Sequence, residues 1–272
     1  MSMTSIIAEN HEFRAAVKSG TRRPKVPKPG PNYSEPGSKR HGLVGTAFDY
    51  LIGYILEHRN KGKVTRSGTP IALRALFILR DTANTAAEIN QVNNVEAMIL
   101  RHMAQADAFI EKGNLTRELI ASTLQVANLD QIYRAGIMPR QLIKKTYIED
   151  INDIHRMVQA IPLDRFTANK EAFTGPDFGH SSRLIGGADA DFIIDGALID
   201  TKTSMKLAIP LSMWCQVVGY YLLNRVERLK GHAFYDVDRI GFYFARHGQF
   251  LEIDIEQAID DPNELLRAMF CF

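Results

Sequence analysis

Asp189, Asp191, Asp200 and Lys202 are the residues of this 272-residue chain whose types and spacing best suit chemistry. They lie in the stretch Gly186-Gly-Ala-Asp-Ala-Asp-Phe-Ile-Ile-Asp-Gly-Ala-Leu-Ile-Asp-Thr-Lys202. Asp195-Gly196 is a two-residue turn signal between apolar runs, the kind that closes a type I′ hairpin. With that turn, Ile194 pairs with Ala197, and counting outward sets Asp191 opposite Asp200 and Asp189 opposite Lys202. Side chains alternate along a strand, so all four share one face. Opposed residues have Cβ atoms about 4.5–5.5 Å apart, and like charges there are destabilising. Two carboxylates held this way call for a shared proton or a cation between them. With a lysine beside them, the arrangement suits a divalent-metal site for hydrolysis.

The element after the hairpin adds two polar groups. Leu211, Trp214, Cys215, Val218, Leu222, Val226 and Leu229 recur as one apolar stripe of a helix over about 210–229, the face expected to pack on a sheet or helical layer. Gln216 and Tyr220 are four residues apart and share the opposite face. There an amide and a hydroxyl can meet a polar ligand near the acids.

The elements that must position these groups follow from pattern. Strands are expected near 183–188, 190–195, 197–203, 239–245 and 249–254, with a closing helix around 262–270 and a loop over 165–183 turning at Gly175-Pro176. The N-terminal half reads as helical. A short helix spans about 5–18, and another runs from Gly45 to His58. Pro70 opens a third, an amphipathic stretch from Ile89 ends near Gly113, Thr116 caps a helix to about Tyr133, and Pro139 opens one reaching Ile161. The fold class is therefore α/β (α+β): a mixed sheet flanked by helices, with a large helical N-terminal half. The expected division is an arm over 1–40, a helical layer over 41–162 and an α/β core over 163–272.

Composition narrows the class. The chain is 45% hydrophobic and 24% charged, as expected of a globular protein, and its net charge of +2 demands no anionic partner. The distribution says more. Residues 1–40 hold eight Lys or Arg against three Glu, and 21–40 hold five prolines. That stretch reads as an extended basic arm able to follow a phosphate backbone, or as a solvated tail. Cys215 and Cys271 are too few for a disulfide framework or a four-cysteine cluster, which points to an intracellular, cytoplasmic protein. No apolar run approaches the roughly 20 residues of a bilayer span, and no secretory signal is apparent, so no membrane association is expected.

The constellation resembles the PD-(D/E)XK nuclease superfamily, and within it the RecB-like exonuclease branch. Asp189/Asp191, then Asp200-Thr-Lys202, then Gln216-Val-Val-Gly-Tyr220 follow the order of that branch's acid, D/E-x-K tripeptide and QxxxY helix. Gly186-Gly-Ala-Asp189 resembles its GxxD element, which nominates Asp189, whereas the hairpin register nominates Asp191. The branch's upstream GxxxH element is matched in spacing by Gly45-Thr-Ala-Phe-Asp49, with aspartate in place of histidine. The iron–sulfur cysteines of some members have no counterpart. The likeness covers about residues 175–245 and a fragment at 41–58.

What the resemblance implies is a restriction-endonuclease-like core that hydrolyses phosphodiester bonds with Mg²⁺ or Mn²⁺, acting as an exonuclease on DNA, or on RNA. Asp191, Asp200 and Asp189 would ligate metal, with Asp49 and the carbonyl of Thr201 as further ligands. Lys202 would position or deprotonate the attacking water, and Gln216 and Tyr220 would orient the substrate strand. No GxxxxGK[ST] motor motif is present, so a processive role would need a helicase or recombination partner chain. Repair, recombination and phage replication are the settings it suits.

A reading from another class is a silent nuclease-like module for nucleic-acid binding or assembly, which the opposed carboxylates argue against. A metal-dependent hydrolase of smaller phosphate esters is a third. His41 reads as a loop residue, and His180 with Ser181 and Ser182 as turn chemistry. Arg140, Lys144, Lys145 and Arg156 read as a solvated helix face or a backbone-binding one.

Overall fold

The structure, a computed structural model, describes residues 3–28, 34–66, 71–138, 141–232 and 235–270. Pro29, Pro31, Pro70, Pro139, Arg140 and Cys271 lie outside them. Along the chain come α1 (Met3–Glu9), α2 (His11–Gly20), α3 (His41–Arg59), β1 (Val64–Arg66), α4 (Ile71–Thr82), α5 (Ala86–Lys112) and α6 (Arg117–Ala127). They are followed by α7 (Asp130–Ala135), α8 (Ile148–Gln159), β2 (Ala172–Thr174), α9 (Gly179–Leu184), β3 (Phe192–Ile194), β4 (Ala197–Lys202) and α10 (Leu211–Leu229). The chain closes with β5 (Arg239–Phe244), β6 (Gln249–Asp254), α11 (Ile255–Ala258) and α12 (Pro262–Phe270). Two compact units result: a sheet unit (Met1–Asn32, Gly62–Ser67, Thr167–Phe272) and a helical unit (Tyr33–Lys61, Gly68–Phe166).

The sheet unit is an open mixed sheet in the order β1-β2-β3-β4-β5-β6. Its β1–β2 and β4–β5 pairs are parallel and the rest antiparallel. Parallel neighbours need a long crossover, and α10 supplies it between β4 and β5. Ile193, Leu198, Ile240, Phe242 and Phe244 from one sheet face share a core with Trp214, Val218 and Leu222 of α10. Fully burying a side chain of this size contributes about 1.5–3 kcal/mol. Ile6, Ile7, Phe13 and Val17 of α1 and α2 are buried in the same core.

The expected arm over 1–40 is corrected by that packing: its first half is two helices whose apolar residues recur at three- and four-residue steps. Its charges are partly taken up within the chain. Arg22 pairs with Asp260 at 2.7 Å and Arg23 donates to the Ile209 carbonyl at 2.9 Å in the sheet unit, while Arg40 pairs with buried Asp150 at 2.6 Å in the helical unit.

The expected strand over 183–188 is not formed. Residues 179–184 are α9, and Gly186 (φ 77°) and Gly187 (φ 109°) then turn the chain through left-handed backbone that a strand cannot use. Ser182 Oγ fastens the turn, donating to the Ala188 carbonyl and accepting the Ala188 N–H, both at 2.7 Å. The strands β1 and β2 are three residues each and arise where no strand was expected. Strands of three residues carry too few positions for an alternation pattern.

In the helical unit, α3, α5 and α6 pack around a buried polar chain: Tyr54 hydroxyl to His102 Nε2 at 2.8 Å, and His102 Nδ1 to Ser122 Oγ at 2.9 Å. Caps delimit the helices as the residue types require. Thr85 and Glu88 form a capping box, Gly113 ends α5 at φ 74°, and Thr116 accepts the Leu119 N–H. The helix from Thr116 breaks at Asn128-Leu129 into α6 and α7, and the last helix begins at Ile148, after Tyr147, not at Pro139. Lys144 and Lys145 therefore precede α8 and share no helix face with Arg156. Among the described residues, no helix is long and apolar enough to cross a membrane.

Candidate active site

β3 and β4 pair as Phe192↔Ile199, Ile193↔Leu198 and Ile194↔Ala197, the register counted from the turn. Asp195 at φ 44° and Gly196 at φ 83° supply the two left-handed residues of a type I′ turn. The ladder ends at Phe192↔Ile199, and Asp191, the residue before β3, reaches β4 by its side chain. There Asp191 Oδ2 accepts the backbone N–H of Thr201 at 2.5 Å, tying the carboxylate to the neighbouring strand. Asp189 forms no ladder pair with Lys202. It bridges Asp177 instead, because the chain before Phe192 turns to the 175–177 segment, where Gly175 N–H donates to the Asp191 carbonyl at 2.9 Å.

Lys202 closes an ion pair with Asp200 Oδ2, and Asp200 is only 3% exposed. Lys202 Nζ also donates to Gln216 Oε1 at 3.4 Å, and Gln216 Nε2 donates to the Tyr220 hydroxyl at 2.8 Å. A continuous polar path thus runs from Asp200 through Lys202 and Gln216 to Tyr220. Phe178 stacks on Tyr220 with ring centroids 5.7 Å apart.

Burial dominates the electrostatics. It pushes the Asp191 carboxyl up to about 7, the charge of Asp200 adds to this, and Lys202 and the Thr201 N–H work against it. Asp189 contributes a further, smaller push. Burial also raises the Asp200 carboxyl against the pull of Lys202. The Tyr220 phenol is held protonated, first by burial and then by the charges of Asp200 and Asp191. The pair is therefore short of positive charge, and a shared proton or a cation answers the shortage.

The stripe reading of α10 needs one correction. Gln216 and Tyr220 do not lie on a solvated face, since α10 is buried around most of its girth: Val217, Tyr220, Tyr221 and Leu223 are buried along with Trp214 and Val218. Met3 of α1 approaches it at Gly219, where a Cβ would meet Met3 Sδ at 2.5 Å, and Trp214 Nε1 donates to Thr21 Oγ1 at 2.7 Å. Helices from the far end of the sequence thus cover what a single stripe leaves open.

Asp49 lies on α3 of the helical unit, half-buried, whereas the other candidates belong to the sheet unit. His41 is not a loop residue but the first residue of α3, and His180, Ser181 and Ser182 lie in α9. Two contributors carry no signal in the sequence. Phe178 backs Tyr220, and buried Glu227 of α10 accepts the Ser181 N–H at 2.6 Å and bonds His232 Nδ1 at 2.7 Å, fixing α9 to α10. Both join residues about 40 positions apart, beyond the reach of any local pattern.

No protein-family model, no curated protein and no solved structure matches this chain.

Proposed function

We propose that the chain is a metal-dependent nuclease of the PD-(D/E)XK type, on a restriction-endonuclease-like core, hydrolysing phosphodiester bonds in DNA with the RecB-like preference for ends. The observation that carries this reading is the Asp191–Thr201 hydrogen bond at 2.5 Å. It brings the half-buried Asp191 carboxylate, one residue before β3, to the strand that carries buried Asp200 and the lysine of the D-x-K tripeptide.

The donor set fits a hard cation: two carboxylates, with the Thr201 carbonyl as the resemblance implies. Among the described residues no group of three or more His, Cys, Asp or Glu stands ready as a complete cage. Mg²⁺ does not require one, since one or two carboxylates suffice when water and substrate phosphate fill the other positions. Such an ion supplies charge at the scissile phosphate and acidifies a bound water.

The chain's own groups do the rest. The Lys202 ammonium, held by Asp200 and Gln216, positions the attacking water and offsets charge growing on the phosphoryl oxygens. Tyr220 accepts from Gln216 and keeps its own proton to donate to a phosphate oxygen of the strand. The water oxygen bonds to phosphorus as the P–O bond to the leaving sugar breaks, the attacking water giving its proton to solvent and the leaving sugar oxygen taking one from solvent.

The test is incubation of purified protein with linear, circular and single-stranded DNA, and with RNA, under Mg²⁺, Mn²⁺ or EDTA. Cleavage should need the metal and fall about 100-fold or more in Lys202→Ala. Cleavage that persists in EDTA, or undiminished in a folded Lys202→Ala protein, refutes the reading.

A further inference from the structure

The strand that carries Lys202 ends at that residue. β4 and β5 run parallel to a last pair, Lys202↔Phe244, and residues 203–210 follow β4 without regular structure. A side chain on the last rung of a ladder has no next rung to hold its backbone. Its aim depends on what grips the peptides that follow.

The turn after β5 supplies a grip. Ala245, Arg246 and His247 form one buried turn closed by Gly248 at φ 58°. Arg246 is 1% exposed and His247 3% exposed. Arg246 Nε–H donates to the Thr203 carbonyl at 2.6 Å, and His247 Nε2 bonds the Met205 carbonyl at 3.0 Å. A carbonyl only accepts, so Nε2 carries the ring proton. A buried guanidinium costs much of its hydration, and its planar donors recover that only against fixed acceptors. The carbonyls it and its neighbour hold are one and three residues beyond Lys202.

We infer that Arg246 and His247 are positioning residues of the hydrolytic site: by clamping the Thr203 and Met205 carbonyls they fix the exit of β4 and hold the Lys202 ammonium on Asp200 and Gln216. This role rests on the nuclease reading of the site. The two residues act through Lys202 and the carbonyls that follow it.

Arg246→Gln and His247→Leu weaken or remove the grip, while Arg246→Lys keeps the charge and His247→Gln keeps a donor. In the first pair kcat for DNA cleavage should fall about 10–100-fold with KM changed less than about threefold, because a misplaced catalytic group costs turnover and not binding. His247→Gln should recover most of the loss. Hydrogen exchange at amides 203–209 should accelerate in His247→Leu while β5 keeps its protection. Circular dichroism confirms folding, and the two His247 variants decide the question if Arg246→Gln does not fold. Unchanged kcat in His247→Leu, a loss confined to KM, or no rescue by His247→Gln overturns the positioning role and leaves the nuclease reading standing. A wild-type protein that cleaves nothing under any metal overturns both.

Discussion

The acidic pair should make the sheet unit less stable as pH rises, and one substitution should remove the share that belongs to Asp191. The Asp191 carboxyl titrates at about 7 in the folded chain against 3.8 for the free group. Between those values the folded protein keeps a proton that the unfolded chain has already lost. Stability from this group is thus fully present below about pH 4, is lost as pH rises to about 7, and changes no further above it. The gap corresponds to about 4 kcal/mol, of which about 3 kcal/mol falls between pH 5 and pH 8. Asp191→Asn keeps the shape and an oxygen for the Thr201 N–H but removes the charge. Trp214, the single tryptophan, is fully buried and lies 6.5 Å from the Phe242 ring, so its fluorescence in urea reports the sheet unit alone. The stability of Asp191→Asn relative to wild type should rise by about 3 kcal/mol from pH 5 to pH 8. Mn²⁺ at 100 times its Kd should return about 2.7 kcal/mol to the wild type at pH 8 and much less to the variant. A wild-type midpoint that tracks the variant across this range would refute the reasoning, because the pair would then have no need of a cation.

Two further outcomes test other parts of the fold. His102, buried between Tyr54 and Ser122, has its imidazole lowered by burial to about 4. Here the unfolded chain takes the proton first, so stability is full above pH 6.5 and falls toward pH 4; from pH 7 to pH 5 the helical unit should lose about 2 kcal/mol, read by hydrogen exchange in α5 and α6 and absent in His102→Gln. Protection that does not change over that range would show the site to be wetter than the packing implies. At Gly241 a Cβ would stand 2.2 Å from the Leu251 carbonyl oxygen and 2.6 Å from the Glu252 Cα, both backbone atoms. Gly241→Ala should therefore cost about 3 kcal/mol by parting β5 from β6, and an unchanged urea midpoint from Trp214 fluorescence would contradict that close approach.

How much of the site was legible follows from the distance over which each feature is encoded. Asp195-Gly196 sets the turn, and the turn sets the register from Ile194↔Ala197 to Phe192↔Ile199; the Asp191 side chain then reaches β4 at the Thr201 N–H, and every step spans fewer than a dozen residues. The D-x-K lysine and the four-residue spacing of Gln216 and Tyr220 are equally local, and the Lys202–Gln216 contact joins them. Asp189 escaped the count because a ladder can exchange partners: its neighbours bond the 175–177 segment, and nothing inside the hairpin announces that strand. The same limit hid the covering of α10. An apolar stripe says that one face must leave water, but not that α1 and α2, some 200 residues earlier, will take the remaining faces as well. Arg246 extends the point. In the sequence it is a charged residue in a turn beside glycine, where solvent exposure is the ordinary expectation. Only the parallel pairing of β4 with β5 brings its Nε within 2.6 Å of the Thr203 carbonyl, and that pairing depends on where α10 returns the chain. A sequence states what each group requires, here a donor for a carbonyl and a cation for two acids. The topology determines which group meets the need, so the acids and the lysine of this site are legible locally while the residues that grip the chain beyond the lysine are not.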